Sequence, residues 1–128
     1  MGHQEWEHRP RAGTNDLLCI TRRQYSTAVV IFAAGEIDIA TAEHLASALR
    51  AELDSRPGTL VIDLTGVEFM GSIGMAVLAE ADQSASASGQ RLHVVARKRQ
   101  AAFRSITVSG MADRLSMFCD LDDAIAIH

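Results

Sequence analysis

The sequence predicts a single α/β domain: a mixed, mostly parallel sheet with an antiparallel N-terminal hairpin strand and helices packed against it. Apolar β-branched runs alternate with apolar residues at helical spacing along most of the chain. Such strand–helix–strand repeats imply right-handed crossovers between parallel strands. The length of 128 residues, with 48% hydrophobic and 22% charged residues, suits one compact domain with one core.

The N-terminal part predicts an arm followed by a hairpin. Residues 1–16 are polar and lack an apolar period, so we interpret them as a flexible arm and residues 17–128 as the folded domain. Residues 17–23 and 27–34 are both candidate strands, and the second contains a β-branched and aromatic run. Since residues 24–26 are a short connection, the two strands are expected to be antiparallel.

A first helix is predicted over residues 40–53. Asp38 lies just before it, where a carboxylate can accept hydrogen bonds from exposed N–H groups. Pro57 cannot continue the helix and Gly58 allows a sharp turn, so both end it. The helical spacing is carried by apolar residues, namely Ala42, Leu45, Ala46, Leu49 and Leu53.

The rest of the chain continues the alternation of predicted strands and helices. Residues 59–64 form an apolar run typical of a central strand covered on both faces. A second helix is expected from Ser72 or Ile73 to Ser86, with a core face made of Ile73, Val77, Leu78 and Ala81. The last predicted elements are a strand at 92–96, a helix at 100–108, a short strand at 115–118 and a helix at 120–127.

Charge and hydropathy narrow the class of partner. The formal net charge of −4 gives no electrostatic reason to expect nucleic acid or an anionic membrane as partner. No apolar run approaches the roughly 20 residues that span a bilayer. The N-terminus carries polar residues where a signal peptide has its apolar region. We therefore expect a cytoplasmic protein whose partner is a protein or a small ligand.

Neither a metal nor another cofactor is expected. Cys19 and Cys119 lie far apart in the sequence, and the histidines show no ligand spacing. The glycines at 66, 71 and 74 do not form a phosphate-binding loop, and no lysine follows them. Asp38 and Asp63 would make a carboxylate pair, but a capping role and a strand-end role explain them more simply.

Ser72 is the most informative residue, because it lies between a buried strand and a helix. At such a junction a hydroxyl, or a phosphate esterified to it, lies beside N–H groups with partial positive charge. The simpler interpretation is a plain N-cap. A hydrolase elbow is disfavoured because Gly71 is one residue off the motif and His93 is the one moderate candidate base. An enzyme is therefore not expected.

Several segments together resemble one family. GEIDIATA at residues 35–42, VIDLTGVEFM at 61–70 and SIGM at 72–75 closely resemble the bacterial anti-sigma factor antagonists, which carry the sulfate-transporter-and-antagonist (STAS) domain. The tail at residues 91–127, including VSGM at 108–111, is similar to that family as well. The resemblance covers nearly everything after the arm and implies a STAS-like fold for residues 17–128.

The resemblance implies a phosphorylation switch. It makes Ser72 the phosphoacceptor, and it makes the partner an anti-sigma factor that is also a serine kinase of the histidine-kinase-like ATPase fold. The unphosphorylated form binds that partner, and a serine phosphatase is the second implied partner. Asp38 matches an acidic residue that supports binding or phosphorylation. The implied partner-binding residues are Asp38, Thr41, Met70, Gly71, Ser72, Ile73, Gly74 and Met75.

Two positions depart from the family pattern. Gly71 stands where the family usually has aspartate, and Ile73 stands where it usually has a second serine. Both favour an alternative: a STAS-type protein-interaction module without phosphorylation, in a transport or stress-signalling complex. Met70, Ile73 and Met75 are expected to supply adaptable apolar contacts around the serine. Exposed apolar residues near the first strand would also allow a homodimer.

Overall fold

The computed structural model describes residues 17–126 and contains five strands and four helices in that range. The proposed arm at residues 1–16 and the end of the last helix at Ile127 lie outside the described residues. The elements are β1 (Leu18–Gln24), β2 (Val29–Ile37), α1 (Ala42–Asp54), β3 (Thr59–Met70), α2 (Ser72–Ala87), β4 (Arg91–Val95), α3 (Ala101–Val108), a 3-10 turn (Met111–Asp113), β5 (Ser116–Phe118) and α4 (Leu121–Ala126).

The sheet confirms the predicted mixed topology. Its strand order is β1-β2-β3-β4-β5. β1 pairs antiparallel with β2, from Leu18 opposite Gly35 to Gln24 opposite Val29, and the other neighbours are parallel. The hairpin turn closes with the Tyr25 N–H donating to the Ala28 carbonyl at 2.8 Å. The carboxyl ends of β2, β3, β4 and β5 therefore share one edge of the sheet.

The helices cover the two faces of the sheet unequally. The larger core joins α1, α2 and α3 to one face of the strands, through side chains that include Leu45, Leu49, Leu60, Ile62, Leu78 and Ile106. A smaller cluster on the other face contains Val30, Val61, Val95 and Ala124 of α4. Burial of alternate β3 residues on opposite faces explains its continuous apolar run. No helix within residues 17–126 is long and apolar enough to cross a bilayer.

Two strands are longer than predicted. β2 continues past Ala34 to Ile37, and β3 continues past Leu64 to Met70. Their second halves pair with each other, from Ala34 opposite Gly66 to Ile37 opposite Met70, with two register shifts. The shifts put extra residues into β3, as β-bulges do, and bulges bend a strand. We call residues 34–37 and 66–70 the ribbon, because they extend past the end of β4.

The edge of the ribbon is covered by α3. β4 stops pairing at Val95, opposite Asp63. Beyond that point, the Gln100 amide donates to the Thr65 carbonyl at 2.8 Å, and the Ser105 hydroxyl donates to the Met70 carbonyl at 2.7 Å. Side chains of α3 thus satisfy backbone acceptors that a neighbouring strand would otherwise take.

Candidate functional site

Ser72 is exposed and is the first residue of α2. The N-cap position belongs to Gly71, whose φ of −83° and ψ of 177° are extended, and no side chain caps the helix. The simpler interpretation of Ser72 as the N-cap is therefore wrong. Within residues 17–126, the structure gives the Ser72 hydroxyl no hydrogen bond, so it is open to a reagent or a partner.

The backbone before Ser72 is held from two sides. The Gly71 N–H donates to the Ile37 carbonyl at 2.9 Å, which joins the start of α2 to the end of β2. On the other side, the Met70 carbonyl accepts the Ser105 hydroxyl. The Gly74 N–H then donates to the Gly71 carbonyl at 3.0 Å and begins the first turn of the helix. The backbone that leads into Ser72 is thus fixed by hydrogen bonds to β2 and α3.

Gly74 allows the first turn of α2 to pack closely on the ribbon. A Cβ at this position would lie 2.9 Å from both Ile37 Cγ2 and Met70 Cγ, too close for two carbon atoms. Met70 is 4% exposed and Met75 is 7% exposed, so both support the site from beneath. This placement corrects the expectation that their thioethers face a partner, because both are needed in the core.

Ile73 lies on the surface and not on the core face of α2 as predicted. Its side chain is 38% exposed, next to Ser72. The helical spacing with Val77 is real, but the buried residues at the start of α2 are Gly74 and Met75, so Ile73 lies beside the buried face of the helix. The prediction of Ile73 as a core residue is therefore wrong, and it is available for contact.

Asp38 and Thr41 build the loop between β2 and α1. Asp38 Oδ1 accepts hydrogen bonds from the N–H groups of Ala40 at 3.0 Å and Thr41 at 3.2 Å. The Thr41 hydroxyl donates to the Glu36 carbonyl at 2.8 Å and accepts from the Asp38 N–H at 3.0 Å. Asp38 therefore organises the loop before α1, whose N-cap is Thr41 and whose first-turn N–H groups receive no side-chain cap, so the predicted capping role of Asp38 is wrong. Thr41 is buried, so it shapes the loop and does not face outward.

The Asp38 loop and the Ser72 loop are neighbours. Asp38 follows Ile37, whose carbonyl accepts the N–H of the residue before Ser72. Both loops leave the carboxyl ends of adjacent parallel strands, the edge at which open α/β sheets bind ligands. The structure therefore brings the predicted acidic residue and the predicted acceptor serine to one place.

The sequence reasoning found Ile73 but not the other exposed apolar side chains at this end of the sheet. In residues 17–126 the large hydrophobic residues that remain exposed are Leu17, Ile39, Phe69, Ile73 and Val108. Ile39 is 87% exposed in the Asp38 loop, and Phe69 is 51% exposed at the end of β3. Val108 is also 87% exposed, about one turn past Ser105. Ile39 lies in the loop after β2, Phe69 in β3 and Val108 in α3, so these residues belong to segments that are far apart in the sequence.

Among residues 17–126, the candidate base of a serine hydrolase is not placed at Ser72. His93, the candidate base, lies on β4 and is 4% exposed. Its Nδ1 lies 2.8 Å from the Ala124 carbonyl and, facing an acceptor, must be the protonated nitrogen. The ring also packs on Phe118, with centroids 4.7 Å apart. His93 thus belongs to the α4 face of the sheet, whereas α2 covers the opposite face.

Asp63 has a local structural role as well. Its Oδ1 accepts the Thr65 N–H at 2.9 Å and the Thr65 hydroxyl at 2.6 Å. The described part of the chain contains no group of three or more histidine, cysteine or acidic side chains that could hold a metal ion. The carboxylates of Asp38 and Asp63 thus accept hydrogen bonds from backbone N–H groups two or three residues away.

Comparison with known proteins places this site in a family. A family model described as the STAS domain matches residues 20–124. The anti-sigma-F factor antagonist RsfB of Mycobacterium tuberculosis is 34% identical over 110 residues, which cover 86% of this chain and 88% of that protein. RsfA, another anti-sigma-F factor antagonist of that species, is 33% identical over 115 residues, covering 88% of each.

A solved structure agrees with these relatives. The crystal structure of an anti-sigma factor antagonist from Mycobacterium paratuberculosis has a TM-score of 0.78 to this chain at 33% sequence identity. The match covers 87% of this chain and 93% of that one. The five-stranded mixed sheet, the position of α2 and the family match together lead to one conclusion: this chain belongs to the STAS domain family.

Proposed function

We propose that this protein is an anti-sigma factor antagonist. It binds an anti-sigma factor through the surface around Ser72, and phosphorylation of Ser72 ends that binding. The observation that carries the proposal is the exposed Ser72 residue at the start of α2, next to the exposed side chain of Ile73 and one residue from the Gly71 backbone that the Phe69 ring lies against. The names of the similar mycobacterial proteins support the same role.

The apolar surroundings of Ser72 suit a protein partner. We define the docking surface as Ile39, Phe69, Ser72 and Ile73, with Val108 at its margin. A Cβ at Gly71 would lie 3.6 Å from Phe69 Cε2, so the phenyl ring lies against the residue before the serine. Apolar side chains grouped around one polar residue are typical of protein interfaces. A partner would gain most of its binding energy from burying these side chains.

A phosphate on Ser72 would not disturb the fold. It adds about −1.5 to −2 charges and three acceptor oxygens at pH 7. The positive end of the α2 dipole and the N–H groups of its first turn favour such an anion. Since Gly71 carries no side chain to cap those N–H groups, the phosphate would meet no competing acceptor there.

The same phosphate would oppose docking. A partner that covers Phe69 and Ile73 would have to remove water from a dianion lying between them. Desolvating an unpaired charge costs several kcal/mol, and each ~1.4 kcal/mol changes the affinity tenfold. Phosphorylation thus lowers the affinity of the docking surface while the domain stays folded.

The proposal includes the enzymes that act on Ser72. Following the family resemblance, the anti-sigma factor is itself the serine kinase, of the histidine-kinase-like ATPase fold, and a serine phosphatase removes the phosphate. Asp38 lies in the neighbouring loop, where it would contact the kinase. The protein itself acts as a regulatory binding partner in the cytoplasm and performs no catalysis.

Two substitutions at one position test the switch. We expect Ser72→Ala to bind a purified kinase-type anti-sigma factor from the same genome with nearly the wild-type affinity. Ser72→Asp should bind it at least tenfold more weakly, because a fixed charge enters the docking surface. Isothermal titration calorimetry measures both. Ser86→Asp is the matched control, since it adds the same charge to an exposed position near the other end of α2.

The outcome that contradicts the switch is equal affinity of Ser72→Ala and Ser72→Asp. An equal loss for Ser72→Asp and Ser86→Asp would also contradict it, because the charge would then act without regard to position.

A second candidate function is a STAS-type interaction module that is not phosphorylated. It is favoured by Gly71 and Ile73, which replace the family's usual aspartate and second serine. Incubation with the kinase-type anti-sigma factor and ATP, followed by mass spectrometry, separates the two. A mass gain of one phosphoryl group that is lost in Ser72→Ala supports the switch, and an unchanged mass supports the module.

A further inference from the structure

The hydroxyl of Ser105 makes a contact that its own helix does not require. A serine within a helix commonly bonds a carbonyl of the preceding turn. Ser109 does this, donating to the Ile106 carbonyl at 2.9 Å. Ser105 instead donates to Met70, 35 residues away in the sequence, at 2.7 Å. That hydrogen bond joins α3 to the last residue of β3.

This bond acts on the peptide that precedes the acceptor serine. The planar peptide between Met70 and Gly71 is held at its carbonyl by Ser105 and at its N–H by the Ile37 carbonyl, at 2.9 Å. Two bonds on opposite sides of one peptide fix its orientation. The orientation of this peptide sets the direction in which the chain enters α2 at Ser72.

Gly71 makes this external support necessary. Glycine has the widest range of backbone conformations, and at the N-cap it offers no side chain to organise the first turn. The local sequence therefore does not fix the start of α2 by itself. The support has to come from the neighbouring elements, and on the α3 side it comes from Ser105.

We propose that Ser105 is a positioning residue for Ser72: by holding the Met70 carbonyl, it fixes the first turn of α2 and the orientation in which Ser72 meets the anti-sigma factor. The consequence for binding depends on the function proposed above. The structural part of the proposal, the restraint of the Gly71–Ile73 backbone by Ser105, stands without it.

The experiment compares three variants of the full chain. Ser105→Ala removes the hydroxyl, and Ser105→Thr keeps it. Gln100→Ala is the matched control, because Gln100 donates to the Thr65 carbonyl at 2.8 Å on the same edge of β3, five residues upstream of Met70. Hydrogen exchange by NMR reports the hydrogen-bonded amides of Gly71 and Gly74, and calorimetry reports the affinity for the anti-sigma factor used for Ser72.

We expect Ser105→Ala to speed amide exchange at Gly71 and Gly74 roughly two- to tenfold, the effect of losing one hydrogen bond. Ser105→Thr should restore the wild-type rate, and Gln100→Ala should leave these two amides unchanged. The affinity should fall by a similar factor in Ser105→Ala and recover in Ser105→Thr.

Two results overturn the proposal. One is unchanged exchange at Gly71 and Gly74 in Ser105→Ala, and the other is equal acceleration by Gln100→Ala, which would indicate a general loosening of α3. If the wild-type chain fails to bind any anti-sigma factor, the proposed function fails, and the exchange rates still decide the role of Ser105.

Discussion

Two glycines flank Ser72 at the scale of single residues, and they are there for different reasons. At Gly74 a Cβ would meet Ile37 and Met70 at 2.9 Å, so close packing excludes a larger residue. At Gly71 the backbone is extended, and a Cβ would have ordinary contacts of 3.6 Å or more. Any residue fits at position 71. Glycine there only removes a side chain that would cap α2.

We therefore expect Gly71→Asp to be more stable than Gly71→Ala. The carboxylate would accept hydrogen bonds from the first turn of α2, whereas alanine has no acceptor. The difference in the free energy of unfolding should be about 1 kcal/mol, and urea denaturation at pH 7 measures it. Alanine is the control for the change of backbone entropy that any Cβ brings. Equal stabilities would mean that the first-turn amides of α2 need no cap.

The ribbon is the element that places Ser72. Its pairing depends on Gly35, which has a φ of +117° and lies opposite Leu18. A Cβ at Gly35 would lie 2.0 Å from the Leu17 carbonyl oxygen, which also accepts the Glu36 N–H at 2.7 Å. Gly35 thus lets β1 and the end of β2 approach closely, and the ribbon continues from that point.

We expect Gly35→Ala to lower the free energy of unfolding by about 3 kcal/mol or more, from left-handed strain and a backbone clash together. Gly58→Ala is the control: it also has a positive φ, of 87°, but nothing lies within 4 Å of its Cβ. It should lose only about 1 to 2 kcal/mol. Urea denaturation measures both, and similar losses would show that the contact with Leu17 is unimportant.

At the scale of the whole molecule, stability is distributed unevenly across the sheet. The central strands β2 and β3 contain side chains with no exposure, such as Val30, Val61 and Ile62. At the other extreme, α4 has six residues, too few for a stable isolated helix, and His93 holds it through the Ala124 carbonyl. The centre and α4 should therefore unfold separately.

Native-state hydrogen exchange tests this distribution. The amides of Val30, Val61 and Ile62 should exchange through global unfolding, with a free energy equal to that from urea denaturation. The Ala124 amide should exchange at a clearly lower free energy, and His93→Leu should lower it further while the central amides follow only the change in global stability. Equal protection of Ala124 and Val61 would contradict the separate unfolding of α4.

The order of strands and helices could be predicted from the sequence, because it depends on local apolar periods. The ribbon could not. Its two strands were predicted to end at residues 34 and 64, yet at Gly66 a Cβ would lie 2.9 Å from Ala34 Cβ, so the glycine permits pairing beyond those ends. Ser72 was found from its position between strand and helix. The exposed apolar residues Ile39, Phe69 and Val108 belong to a loop, a strand and a helix that are far apart in the sequence, so local patterns do not group them.

Because the ribbon extends past β4, the exposed side chains at its end contribute little to the core. Substitutions of Ile39 or Phe69 change what a partner meets and leave the buried residues of the sheet in place. Under the proposed function, copies of this chain could therefore differ in the anti-sigma factor they bind through a few substitutions at these exposed positions, with little change in the buried core.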